Sequence, residues 1–151
     1  MVRPPNPNQG HESFQYPSPG PSSVLEYQAS GLPYVTQSVA TTDATKIEFP
    51  FVTKFFTVKN NGADDLCVGF TENGVLGSNK LTITPSSSYT GDIRVADLFL
   101  AAPNSTATYE VVAGLTQIPR KNWFILTGAL NGFSGSQITY GTRGFGYPGI
   151  G

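Results

Sequence analysis

Histidine occurs once in the chain, at His11, inside a stretch where proline recurs every few residues. An imidazole acting as general base for a serine or cysteine nucleophile has to be held on a rigid element, and this stretch offers none. Cys67 is the single cysteine, so zinc sites built from His and Cys ligands are excluded by supply. It lies between Leu66 and Val68, where a small buried hydrophobe is expected and not a reactive thiol. Carboxylates remain. Asp64 and Asp65 adjoin in a turn, the setting in which calcium takes oxygen ligands, but no EF-hand series accompanies them and Asn-Gly-x-Asp is ordinary turn composition. Asp92 and Asp97 flank an apolar run, yet nothing in the spacing selects a glycosidase pair from the ten acids. The glycines of GFGYPGIG follow no clear strand, open no helix and lack the lysine of a phosphate loop. Asn104-Ser105-Thr106 satisfies the glycosylation rule in an expected turn, but no secretory signal is visible, so the match reads as coincidence. The expectation is a chain with no catalytic residue, no cofactor and no metal.

The elements that would have had to hold a site are strands. From Phe49 to Gly74 the sequence reads as two of them folded back on each other. Phe49, Phe51, Thr53, Phe55 and Thr57 share one parity, and Val52, Phe56 and Val58 the other. Leu66, Val68 and Phe70 then alternate with Cys67, Gly69 and Thr71. Asn61-Gly62 tolerates the positive φ of a tight connection, which is expected to be bulged or four to five residues long. Pro50 removes a ladder donor from the run Lys46 to Lys59, which predicts an edge or a bulge near it, and the parity change between Phe51 and Phe56 supports a bulge.

Further runs follow the same logic. Tyr34 to Ala40 reads as an edge strand, Lys80 to Thr84 as a short strand, and Asp92 to Leu100 as another. Thr106 to Ile118 alternates most cleanly, with Tyr109, Val111, Ala113 and Leu115 on one face and Gly114 marking a bulge or a close approach. Trp123 to Leu126 and Gln137 to Tyr140 complete the set. Val75 to Asn79 reads as loop, Pro85 to Ser88 as a turn, and Val24 to Tyr27 as a short extended lead-in. About eight strands at roughly ten-residue spacing, with no convincing helix, predict an all-β antiparallel β-sandwich. A single jelly roll is the leading topology and an immunoglobulin-like sandwich the next.

With 151 residues the chain has room for one domain with a proper core. Charged residues reach only 13% and the formal net charge is −1, so the surface is covered by Ser, Thr, Asn and Gly or by other protein. The nine Lys and Arg are scattered and form no patch like a phosphate footprint, so nucleic acid is not an expected partner, and no apolar stretch reaches membrane-spanning length, so no membrane insertion is expected. Residues 1–23 form a proline-rich N-terminal arm, 24–140 the sandwich domain, and 141–151 a glycine-rich C-terminal tail. Phe14 and Tyr16 in the arm, with Phe145 and Tyr147 in the tail, are the candidate contacts to a partner; the competing reading is two plain flexible ends.

The segments FFTVKNNGADDLCVGFTENGV, DIRVADLFL and TYEVVAGLTQIP resemble the single-jelly-roll capsid proteins of large icosahedral double-stranded DNA viruses, in particular the small pentons that close five-fold vertices. The resemblance runs from about Lys46 to Gly132 and rests on strand-and-turn patterns. It implies a homopentamer in the virion, made in the host cytoplasm and packed against double-jelly-roll capsomers, without enzymatic activity and with the arm running beneath the shell. Two other readings stand beside it. A carbohydrate- or receptor-binding sandwich of a phage tail or lectin-like protein would stack sugars on Tyr89, Trp123, Tyr140 and Tyr147. A small β-barrel enzyme would need two acids facing each other in a cleft.

Overall fold

The computed structural model describes residue 21, residues 29–123, and residues 125–126, 144–145 and 149–150. Eight strands build two four-stranded antiparallel sheets. They are β1 (Leu32–Ala40), β2 (Thr45–Glu48), β3 (Phe51–Asn60), β4 (Leu66–Gly69), β5 (Leu81–Ile83), β6 (Ser88–Gly91), β7 (Asp97–Ala101) and β8 (Ala107–Pro119). One sheet runs β1-β8-β3-β6 and the other β2-β7-β4-β5. Only β4 to β5 is a hairpin within a sheet; every other connection in the series crosses to the facing sheet. That order is the single jelly roll.

The core lies between the sheets. Phe49, Phe56, Val58, Leu66, Leu98, Leu100 and Val111 are all 0% exposed there. Period-two alternation in β8 does what the sequence predicts: Tyr109, Val111, Ala113 and Leu115 are buried while Val112 faces out. Tyr34 stacks edge-on against Phe49 with ring centroids 5.0 Å apart, so β1 closes the core from its rim. Gly114 is the close approach the sequence allowed for. A Cβ there would strike the Phe55 ring, and one on Gly31 would lie 2.6 Å from the Gly114 Cα. Two facing glycines therefore let the chain enter β1 directly over β8.

Five expectations change. The Phe49 to Gly74 hairpin does not form, because β3 pairs with β6 and β8 whereas β4 pairs with β5 and β7 in the other sheet. The side chain of Asn60 causes the divergence. It is 0% exposed; its Nδ2 donates to the carbonyls of Asp64 (2.8 Å) and Ile83 (2.9 Å), and its Oδ1 accepts from Gly62 N–H (2.9 Å). A fully satisfied buried amide pins the end of β3 to the facing sheet, so the chain leaves at Asn61-Gly62 instead of turning back.

The run Lys46 to Lys59 splits at Pro50, with β2 and β3 in different sheets. The bulge is present: register shifts fall between Phe51 and Thr53 and again before Phe55. Two threonines satisfy the groups it frees. Thr53 Oγ1 donates to Ile93 O (2.8 Å) and accepts from Val95 N–H (3.0 Å), while Thr116 Oγ1 donates to Val52 O (2.7 Å).

Asp92 to Leu100 is a strand only from Asp97 onward, since residues before it are tied to Thr53 and Phe49 across the fold (Thr53 N–H to Val95 O and Phe49 N–H to Ala96 O, each 2.9 Å). Ser88, read as turn, opens β6. Finally, Glu72–Leu76 is a one-turn helix, α1, capped by Thr71, whose Oγ1 accepts from Gly74 N–H (2.9 Å). α1 covers the outer face of β4. Cys67 there is 1% exposed and packs with Val75 and Ala101, as a small hydrophobe would. The lead-in at Val24 to Tyr27 and the strand at Gln137 to Tyr140 lie outside the described residues.

Candidate interaction surface

Each sheet of a jelly roll has two edge strands, and an edge is a row of unpaired N–H and C=O groups ready to pair with another chain. Three of the edges here are short: β2 and β6 have four residues each and β5 has three. β1 has nine, LPYVTQSVA, with no charged residue among them. It pairs with β8 along its whole length, from Leu32 opposite Leu115 to Ala40 opposite Ala107, and has no strand partner on its other side among the described residues. The expected edge strand at Tyr34 to Ala40 is therefore present and longer than its alternation suggested.

The outward side chains of this sheet extend the same character. Val35 is 69% exposed, Val39 48% and Val112 43%. Val35, Val112, Thr57 and Thr90 form one row across the four strands, and Thr57 and Thr90 share a hydroxyl hydrogen bond of 2.8 Å. Glu110 and Lys59 sit opposite each other one row along. The Lys54 Nζ turns away to donate to Ala29 O at 2.6 Å, where the chain enters the domain.

The β2 edge has the reverse design. Glu48 stands directly opposite Asp97 in the β2–β7 register, an arrangement that repels unless cations intervene. Two do. Arg120, in the 3₁₀ turn Arg120–Asn122, donates to Asp97 Oδ1 (2.5 Å) and to Ala96 O (2.8 Å), and Lys46 Nζ meets Glu48 Oε1 at 2.8 Å. The hydrogen bond and charge of Lys46, then the charge of Arg120, hold the Glu48 carboxyl below its ordinary value. At Tyr109 burial pushes the phenol upward.

Asp64 is half-buried and offers its backbone carbonyl to Asn60, and no three His, Cys, Asp or Glu among the described residues gather where a metal could be held. Trp123, expected to be free for sugar stacking, is 7% exposed and packs with Val52, Ala96 and Ile118. The 3₁₀ turn tucks it under the end of β8; Tyr89 is half-buried. Phe14, Tyr16, Tyr140 and Tyr147 lie outside the described residues. The backbone of Phe145 lies in β10 (Gly144–Phe145), which pairs in parallel with β9 (Ile125–Leu126) of the same chain. Nearby in sequence, Ile150 is 3% exposed and its carbonyl accepts from Thr71 Oγ1 at 2.7 Å. This part of the tail is anchored on its own chain, a contact that sequence alone did not suggest. No helix among the described residues is long and apolar enough to cross a membrane.

No protein-family model and no curated protein matches the sequence. Some solved structures are similar in part, two of them as follows. One is PirA, at 11% identity and a TM-score of 0.37, covering 53% of this chain and 93% of that one. The other is IMPa from Pseudomonas aeruginosa in complex with an O-glycopeptide, at 13% identity and a TM-score of 0.36, covering 75% of this chain and 15% of that one. Likenesses this slight carry nothing about partner or activity.

Proposed function

We propose that this chain is a structural subunit of a virion: a capsid penton that closes five-fold vertices as a homopentamer and packs against double-jelly-roll capsomers. The observation that carries the reading is the β1 edge, nine residues without a charge, beside the exposed valines of its sheet. A long, uncharged edge next to an apolar face is what a soluble monomer blunts and an assembled subunit buries. The resemblance of the strand pattern to pentons and a surface with 13% charged residues support the same reading. The sheet order supports it too, because a rigid sandwich with different surfaces on its two sides can join head to tail into a closed ring.

The test is the native mass of the purified protein. Particles of about five chains of 16.1 kDa are expected at micromolar concentration. A monodisperse monomer at high concentration would overturn the proposal.

A further inference from the structure

At the edge formed by β5 and β6 an open pocket of about 370 Å³ lies between the sheets. It is lined by the apolar Val68, Phe70, Leu81, Tyr89 and Ile93, by Ser78, Asn79 and Lys80, and by Gly149 of the chain's own tail. The rings of Phe70 and Tyr89 both pack on the buried Phe56, with centroids 6.3 and 6.1 Å away, so the two aromatic walls are held from behind. Lys80 makes no ion pair with any described residue. An aromatic lining that includes one uncommitted cation suits a ligand that carries a ring and, one short step away, an anion.

The chain contains such a ligand. In the arm, HESFQY places Glu12 two residues before Phe14, and Glu12 is the one acid in residues 1–23. Residues i and i+2 of an extended segment project to the same side, about 7 Å apart. We propose that the pocket takes Glu12 to Phe14 of a second copy of this chain, with the Phe14 ring against Phe70, Tyr89 and Ile93 and the Glu12 carboxylate on the Lys80 ammonium. This rests on the reading of the chain as a subunit of a closed ring.

The arm is long enough for either route, and it is the ring proposed above that selects a second copy over the chain's own arm. The described chain enters β1 past Gly31, which packs on Gly114. The pocket lies at the β6 edge, three strand spacings away on the opposite side of the same sheet, or about 14 Å. A head-to-tail ring brings one side of each subunit to the opposite side of the next, which puts arm and pocket together at every interface. The stretch from Phe14 to Ala29 spans up to about 45 Å if extended as polyproline, ample to cross such an interface.

The experiment uses the full chain with Phe14 replaced by the photo-reactive p-benzoylphenylalanine, assembled from equal parts of natural-abundance and ¹⁵N-labelled protein. After irradiation, mass spectrometry is expected to find cross-links to residues 68–70, 78–81 or 89–93, with mixed isotope labels. Cross-links of a single label would assign the pocket to the chain's own arm and overturn the proposal, as would cross-links elsewhere. Lys80→Glu should cut the yield about tenfold, and Glu12→Lys added to it should restore the yield, which proximity alone would not do. In the unlabelled chain, Phe14→Ala should strip hydrogen-exchange protection from residues 78–81; unchanged protection would overturn the proposal even if the bulky probe cannot enter. Native mass of the same samples separates the two failures. Five-subunit particles without the cross-link sink the arm contact alone, whereas monomers sink the ring as well.

Discussion

β1 and β2 follow one another in the chain, and each forms one edge of its sheet, yet they are finished in opposite ways. β2 is four residues long, carries Lys46 and Glu48, and is clamped by Arg120 through Asp97. β1 is nine residues long, carries no charge, and leaves Val35 and Val39 in solvent. The β2 edge has the short length and charges by which sheets refuse a new strand; the β1 edge has neither. The contrast separates an edge finished by its own charges and shortness from one that has neither.

The largest effect should come from giving β1 the character of β2. Val35→Lys with Val39→Lys places two ammonium groups where a neighbour would pack. Burying each would cost several kcal/mol, whereas an exposed lysine in the isolated subunit changes stability by only about 0.5 kcal/mol. Native mass spectrometry should show the assembly replaced by monomers while the urea midpoint stays within error. Charge reversal at Lys46 and Glu48 should leave the mass unchanged. If the lysine pair leaves the mass unaltered as well, the contrast between the edges has nothing to do with assembly.

Next in size is the seat of β1. Gly114→Val drives a side chain into the Phe55 ring and into the chain entering at Gly31. Overpacking a backbone contact should cost about 3 kcal/mol, read as a lowered urea midpoint. The assembly should fail with it, because the edge can serve a partner only while β1 lies flat on β8. Retention of full stability would mean that the two facing glycines are incidental.

How much of this was legible beforehand depends on whether the deciding partner is near in sequence. Alternation in Tyr109 to Leu115 predicts its strand and its buried face, because period two is a local property. Pro50 and the parity change after it predict the bulge for the same reason, but not that the run splits between the two sheets. The sheet that each strand joins was not legible. Asn61-Gly62 looks alike in a hairpin and in a crossing, and what separates them is the Asn60 amide reaching the carbonyl of Ile83, far along the chain. α1 is too short to show a helical period; its signals were Thr71 placed to cap Gly74 and the wholly buried run Leu66–Gly69, which required cover on both faces. On the candidate surface, β1 was legible as an edge, but its length was not, since that emerges only beside the other three edges. Trp123 was misjudged because the 3₁₀ turn that buries it follows a proline with no apolar pattern of its own.

Removing the clamp on β2 should cost less than Gly114→Val. Arg120→Ala deletes a partly buried ion pair with Asp97 and a hydrogen bond to Ala96 O, and it leaves Asp97 opposite Glu48 with Lys46 alone between them. A loss of about 2 kcal/mol in urea unfolding is expected, with the assembly mass intact. Loss of the assembly would show that the β2 edge also serves an interface.

The smallest effect sharpens the comparison most directly, because it uses protons as the probe. Glu48 is held below its ordinary value of 4.5 by Lys46 and then Arg120. A carboxyl whose folded value is depressed stabilises the fold above its unfolded value, and that stabilisation drains away as pH falls through the folded one. Between pH 5 and pH 3 the stability of the wild-type subunit should therefore fall, with part of the slope coming from the β2 edge. Glu48→Gln should flatten that part, because a neutral amide binds no proton. The nine residues of β1 include no group that titrates in this range, so the same acid step should leave contacts made only through that strand unaffected. Urea midpoints at each pH for wild type and Glu48→Gln measure the first half, and native mass at the mildest acid that keeps the fold measures the second. Identical slopes for the two proteins would mean that the Lys46–Glu48 pair is too exposed to matter, and that β2 is protected by its shortness alone.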